Sequence, residues 1–387
     1  MMKGAMIDPD RLVQDALEAV TIPSFTGEEE AMAEWMAERL RELHLEVQWQ
    51  QVEDGRANVL GVRPGTGGGP TLMFNGHMDT SYSGKEPWLA GVRGFQPQGF
   101  VKDGRIYGLG ISNMKGALVA YLAAVRALAG VELRGDVMVA AVSGEIEKAQ
   151  WGSAQGAQYR GYATGSRHLV THGGAADMCI LGEPTEQKVV LAHDGSLWLR
   201  LSTTGSFVHT AFAGPPEENS IVKMRPVLDA VLDWLPSWEG GGSVSAIAGG
   251  FPWRVSRTPH RTDLFLDLRV PPGVEMAEAR RRALEFARGL GVEAEVIVTA
   301  PGAEIDAGHP LVAALEASHE QVFGSPPERD TTRWFSDASV LTRYGLATVN
   351  YGTSTGLLDT VDGENLEIDG LVKTAEVYAR AAQRVCG

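Results

Sequence analysis

The chain has 387 residues, too many for one ordinary domain and comfortable for two, and its 44% hydrophobic and 21% charged content is that of a soluble globular protein. A formal net charge of -15 argues against nucleic acid as a partner, because phosphate binding needs clustered Lys and Arg. The two cysteines, Cys179 and Cys386, cannot build a disulfide framework. No apolar stretch has the length of a membrane span or a signal core, so a reducing, cytoplasmic setting is expected.

Residues 9–43 have helical periodicity, broken at Ile22-Pro23-Ser24-Phe25-Thr26-Gly27. Thr26, followed by Glu28, Glu29 and Glu30, reads as an N-cap with an acidic first turn. Residues 59–62 and 71–74 read as strands of a flexible hairpin around the glycine run at 65–69. No Lys-Ser or Lys-Thr follows that run, so it is not a phosphate loop. A helix is expected over 114–129, then apolar strands over 136–142 and 177–181. The first of these strands ends in Ser143-Gly144-Glu145 and the second in Gly182-Glu183-Pro184-Thr185.

From about residue 189 the pattern changes. Alternating strands at 197–202, 264–270 and 294–298 enclose helices at 220–235 and 275–290, a unit of ferredoxin-like flavour. The chain then resumes with a helix over 311–323, a strand near 347–351 and a last helix over 370–385. The expected fold is α/β: a mainly parallel sheet flanked by helices, interrupted by a smaller ferredoxin-like α+β lid. This gives a catalytic domain of residues 1–188 and 300–387, with a lid or dimerisation domain at 189–299.

In such sheets ligands gather at the carboxyl ends of strands. His77, Glu145 and Glu183 each stand just behind an apolar strand. In Met73-Phe74-Asn75-Gly76-His77-Met78-Asp79-Thr80, a His at a strand end can ligate a metal through one ring nitrogen. The carboxylate two residues on can hold the other nitrogen. The same segment alone is equally a loop His bonded to a neighbouring Asp.

Gly108-Leu109-Gly110-Ile111-Ser112-Asn113-Met114-Lys115-Gly116, Ser143-Gly144-Glu145 and Leu181-Gly182-Glu183-Pro184-Thr185 then follow in order. Further along stand Gly205-Ser206-Phe207-Val208-His209-Thr210, Asp267-Leu268-Arg269-Val270-Pro271, Ser336-Asp337-Ala338 and Val349-Asn350-Tyr351-Gly352. In this order the motifs resemble the metal-dependent family of acetylornithine deacetylase, succinyl-diaminopimelate desuccinylase, aminoacylase and glutamate carboxypeptidase. Each motif is weak alone; the series, over most of the chain, is specific.

The resemblance implies two metal ions, usually zinc, bridged by an aspartate, and a glutamate that takes a proton from the attacking water. His77 and Glu183 would be ligands of the first metal, Asp79 the orienting partner of His77 and Glu145 the general base. His209, often supplied by the partner subunit, would reach the developing oxyanion, and Arg269 would hold a substrate carboxylate. Arg269, on an alternating strand with Asp267, could instead simply pair across the lid sheet. The tryptophans at 234, 238 and 253 could line a substrate path or pack the lid, and Trp334 and Phe335 could wall the pocket.

Three positions depart from the family together. Asn113 stands for the bridging aspartate, Ile146 for the glutamate after the base, and Thr360 for the C-terminal histidine. All three belong to the second metal. One divalent ion, zinc or manganese, is therefore expected on His77, Glu183 and a weaker Asn113, with the second site lost. Glu147, Asp359 or Asp362 could replace lost ligands. The function expected is metal-dependent hydrolysis of a carbon–nitrogen bond, as in deacylation of an N-acyl amino acid, by a homodimer joined through the lid. A hydrolytic deaminase and a non-catalytic binding homologue are the alternatives.

Overall fold

The computed structural model describes residues 6–146, 157–251, 255–353 and 363–387. Two compact units emerge: Met1–Ala192 with Glu304–Thr331 and Ser336–Gly387, and His193–Ala303 with Thr332–Phe335.

The first unit opens with helices α1 (Pro9–Thr21) and α2 (Glu30–Glu42), followed by strands β1 (Glu46–Glu53), β2 (Arg56–Arg63) and β3 (Leu72–His77). Asp8 caps α1 by accepting from the Arg11 N–H, and Pro9 occupies a first-turn position where its missing donor costs nothing. Short strands β4 (Phe100–Lys102) and β5 (Arg105–Tyr107) precede α3 (Gly116–Ala127), β6 (Val137–Val142), α4 (Thr164–Thr171), β7 (Met178–Leu181) and β8 (Val189–His193). Helix α3 is buried at every residue from Gly116 to Val125, which is why its sequence is apolar all round rather than striped.

The second unit holds β9 (Gly195–Thr204), α5 (Ser220–Trp234), β10 (Gly242–Phe251), β11 (Arg261–Val270), α6 (Met276–Gly289) and β12 (Glu293–Ala300). The chain then gives β13 (Ala303–Glu304), α7 (Pro310–Phe323), β14 (Arg329–Thr332), α8 (Ala338–Leu341), β15 (Ala347–Asn350), β16 (Asn365–Glu367) and α9 (Ile368–Cys386).

Among the described residues, the large sheet runs β1-β2-β6-β3-β7-β15-β8-β13, with β14 beside β8. It is mixed rather than mainly parallel. The parallel ladders are confined to its centre, β6-β3-β7-β15, while β1, β2 and β8 pair antiparallel. The central strands are buried on both faces, and so β6 and β7 read as unbroken apolar runs, while β3 is apolar up to Phe74. Phe74 stacks on Tyr121 of α3 with ring centroids 5.1 Å apart, and both meet Tyr378 of α9.

The hairpin expected around 65–69 does not form. β2 and β3 are separated by β6, and the glycine run instead lies on the turn before β6. Thr66 and Gly67 donate to the carbonyls of Leu133 and Arg134, and a Cβ at Gly65 would lie 2.4 Å from the Gly135 carbonyl oxygen. These glycines serve a close backbone approach.

In the second unit the sheet order is β10-β11-β9-β12 with every pairing antiparallel. Leu197, Leu199, Leu201 and Leu264, Leu266, Leu268 alternate onto its buried face, under Met224, Val227 and Val231 of α5 and Ala279, Ala283 and Ala287 of α6. The β-α-β-β-α-β order and this strand order are ferredoxin-like. Trp234 stacks on Phe286 at 4.1 Å, and Trp238 donates its indole N–H to the Arg269 carbonyl at 2.7 Å. Both therefore serve the packing of this unit. Trp253 lies outside the described residues.

Candidate functional site

Register brings the chemistry together. His77, the last residue of β3, pairs with Val142 of β6, and Asn75 pairs with Leu181 of β7. Glu145 and Glu183, a few residues beyond Val142 and Leu181, therefore emerge at the same sheet end as His77. One ligand atom from each of His77, Glu145 and Glu183 lies within 4.8 Å of the others, and all three residues are buried. His77 Nε2 is 3.7 Å from Glu145 Oε2 and 4.0 Å from Glu183 Oε1. Asn113 closes the group with its Oδ1 2.9 Å from His77 Nε2.

His77 is oriented by its neighbour, but not as the sequence suggests. Its Nδ1 donates to the main-chain carbonyl of Asp79 at 2.9 Å, while the Asp79 carboxylate stands off at 3.5 Å. That carboxylate is engaged elsewhere. Oδ1 accepts from the Glu145 N–H at 3.1 Å, and Oδ2 accepts from the Ile146 N–H at 3.0 Å and the Thr26 hydroxyl at 2.9 Å. Asp79 thus fixes the backbone on which Glu145 sits, through a charge-assisted set of bonds. Thr26 is not a helix cap: α2 begins at Glu30 and makes no side-chain cap bond.

Burial dominates the electrostatics. It pushes the Glu183 carboxyl up to about 7; the His77 charge opposes this, while the Asp337 and Asp79 carboxylates add to it. Burial pulls His77 down, but the charges of Asp79, Glu183 and Asp337 outweigh it and hold the imidazole above its ordinary value. Glu183 Oε1 is buried without a hydrogen-bond partner. A lone carboxylate oxygen beside a buried imidazole is the donor set a divalent cation satisfies, so the residues fit a metal.

Two buried carboxyls escaped the sequence reading. Asp337 accepts from Ser166 at 2.5 Å and is raised by burial to about 6. Glu364 receives backbone bonds from the loop of Gly110, Ser112 and Asn113, and is raised by burial to about 7. Lys115, also buried, donates to the carbonyls of Ala19 and Ile22 at the C-terminal end of α1, tying the Asn113 loop to that helix. Only the Ser-Asp-Ala motif hinted at Asp337.

The remaining expected residues lie in the second unit. His209 is half-buried, and its Nδ1 accepts from the Ala211 N–H at 3.1 Å. Arg269 binds Asp267 of its own strand at 2.6 Å and the Ser196 hydroxyl of the neighbouring strand at 3.1 Å. Ile146 is buried. Glu147, Asp359, Thr360 and Asp362 lie outside the described residues.

Residues 73–384 match the model of peptidase family M20/M25/M40. The chain belongs to that family. It is 26% identical over 343 residues to a succinyl-diaminopimelate desuccinylase from Gluconacetobacter diazotrophicus, covering 82% of each chain. It is also 26% identical to a LysW-lysine hydrolase from Deinococcus radiodurans, covering 96% of each. The fold matches that of an M20 family metallo-carboxypeptidase from Sulfolobus solfataricus with a TM-score of 0.77 at 16% identity, over 97% of this chain and 99% of that one. As an M20 member the protein is an enzyme, a metal-dependent hydrolase of carbon–nitrogen bonds. No helix among the described residues is long and apolar enough to cross a membrane.

Proposed function

We propose that this M20 enzyme hydrolyses the amide of an N-acylated amino acid or related small molecule, with one divalent ion held by His77, Glu183 and Asn113 and with Glu145 as general base. The observation that carries the reading is the buried trio of His77, Glu145 and Glu183, in which Glu183 Oε1 is left without a hydrogen bond. The named relatives, a succinyl-diaminopimelate desuccinylase and a LysW-lysine hydrolase, support an acylated amino group as substrate.

When bound, the ion supplies a Lewis acid that polarises the carbonyl and acidifies water. Everything else falls to the chain. Glu145, fixed through its backbone by Asp79, takes a proton from the attacking water and delivers it to the departing nitrogen. Asn113 offers only an amide oxygen and Ile146 none, so a second cation finds too few ligands; this supports a single zinc or manganese ion.

His209 would donate to the oxyanion. Arg269 would hold a substrate carboxylate by exchanging its bond to Asp267 for a bidentate one. A homodimer through the lid fits its exposed edge: β10 ends the lid sheet, with Ile247 57% and Ile221 51% exposed beside it. Buried, unpaired Cys179 and Cys386 accord with a reducing cytoplasm.

The proximity of Glu145 Oε2 to His77 Nε2 favours one rival role, in which Glu145 is a third ligand rather than the base. Glu145→Gln separates the two. A base predicts a folded variant that keeps its metal and loses about a thousandfold or more in kcat. A ligand predicts that metal content falls too. Purification without chelator, reconstitution and metal analysis should give one tight equivalent; two would refute the mononuclear reading. Release of ammonia in place of a carboxylic acid and an amine would refute deacylation.

A further inference from the structure

Beneath the loop of Glu145 lies a group the chemistry above does not use. Arg56, the first residue of β2, is fully buried and faces an equally buried Glu29. The pair is bidentate: Nε to Glu29 Oε2 at 2.9 Å and Nη2 to Glu29 Oε1 at 2.6 Å. Nη1 reaches Glu53 at 3.2 Å and donates to the Arg160 carbonyl at 2.8 Å.

The guanidinium presses on Gly144. That glycine has φ +68°, and a Cβ placed on it would stand 2.3 Å from Arg56 Nη2 and 2.8 Å from the Arg160 carbonyl oxygen. The segment Arg56 holds at Arg160 returns immediately to the same loop. The Tyr162 N–H donates to the Glu145 carbonyl at 3.1 Å, and the Thr164 N–H to the Gly144 carbonyl at 3.0 Å. On the opposite side, Asp79 takes the N–H groups of Glu145 and Ile146. The Thr26 bond to Asp79 and the Glu29 bond to Arg56 come from one short segment, so both supports share an origin.

We propose that the Arg56–Glu29 pair is a positioning clamp that sets the backbone of Gly144 and Glu145, and through it the direction of the Glu145 carboxylate. A fully buried ion pair is a poor stabiliser compared with apolar side chains of equal volume, because both charges are stripped of water. Its value here lies in the planar fork, which grips Glu29 with one edge and the Arg160 carbonyl with another. An ammonium cannot reproduce this. The catalytic consequence, though not the clamp itself, rests on Glu145 being the base.

The test uses the full-length, metal-reconstituted enzyme and the variants Arg56→Lys, Glu29→Gln and Glu29→Met/Arg56→Met. The readouts are amide hydrogen exchange across residues 143–146, kcat and KM on a deacylation substrate, and Tm. The apolar double variant is expected to keep a Tm near wild type while exchange at Glu145 and Ile146 rises about tenfold or more. Its kcat should fall about tenfold or more at a KM within about threefold. Arg56→Lys should show the same exchange signature, because charge without the fork is insufficient. Glu29→Gln keeps the volume and carries the test if the double variant does not fold. Wild-type exchange in the folded variants would overturn the clamp, whatever the activity. Faster exchange with unchanged kcat, in an enzyme that Glu145→Gln inactivates, would show that the pair holds the backbone without directing the carboxylate and would overturn the positioning role.

Discussion

Burial and ligation pull in opposite directions at Glu183. Without a cation its carboxyl is raised to about 7, and the neighbouring imidazole of His77 is held above its ordinary value. Between the unfolded carboxyl value of 4.5 and about 7, the folded chain keeps a proton that the unfolded chain has released. The metal-free protein therefore loses stability as pH rises through that window, and His77, whose contribution is present at low pH and lost above its folded value, acts in the same sense. Metal binding requires both groups deprotonated, so its sign is reversed. Apparent metal affinity should weaken about tenfold or more from pH 7.5 to pH 6, with protons released on binding. Calorimetry in two buffers of different ionisation enthalpy measures this; a pH-independent affinity would remove Glu183 from the ligand set. If Asn113, Ile146 and Thr360 stand where ligands of a second metal were lost, a second expectation follows. Asn113→Asp combined with Ile146→Glu and Thr360→His should raise metal content from one equivalent to two, and failure to gain the second would mean that the loss extends beyond these three positions. His77, Glu145 and Glu183 were readable because each follows an apolar strand. Asp337 and Glu364 were not, since a buried carboxyl far along the chain gains its meaning only from the loop it happens to face.

One loop, Ser143 to Ile146, concentrates the local constraints at the next scale. Gly144 occupies the left-handed region with the Arg56 guanidinium against its Cα, and Asp79 accepts from the two residues that follow. Gly144→Ala should cost about 2–4 kcal/mol, the sum of a left-handed alanine and a displaced buried arginine. Thermal or urea unfolding measures this, and a change under about 0.5 kcal/mol would show that the loop relaxes freely. Asp79→Ala should be at least as damaging to turnover as to metal binding, because its carboxylate bonds the backbone of Glu145 and Ile146 directly and reaches the imidazole only through its charge. A pure loss of metal affinity would reverse that assignment. Sequence periodicity located these elements well: the helices at 9–21, 116–127 and 368–386 and the strands at 137–142 and 178–181 fall where apolar spacing put them. It failed where pairing, not propensity, decides. The glycine run looked like a hairpin because its strands are neighbours in sequence, yet β6 inserts between them. Thr26 looked like a cap because capping and binding a distant carboxylate call for the same hydroxyl.

For the whole molecule, the division into an α/β unit and a ferredoxin-like unit assigns different work to each. The first holds His77, Asn113, Glu145 and Glu183 at one sheet end, and the second contains His209 and Arg269. If the lid edge at β10 joins two copies, Ile247→Asp should convert a dimer to monomers in sedimentation velocity, because a desolvated charge opposes edge pairing. A dimer that survives would place the interface elsewhere. The assembly also decides whose His209 serves which site, and subunit mixing answers that directly. Glu145→Gln chains keep His209 and lack the base; His209→Ala chains keep the base and lack the histidine. Each should be nearly inactive alone. If His209 crosses the dimer, every hybrid contains one site with both groups intact, and random exchange makes about half of the dimers hybrid, restoring about a quarter of wild-type activity. If His209 acts within its own chain, hybrids form without recovery. Activity that stays at background in a mixture shown to exchange subunits would therefore reject the cross-subunit role while leaving the metal site and its base untouched.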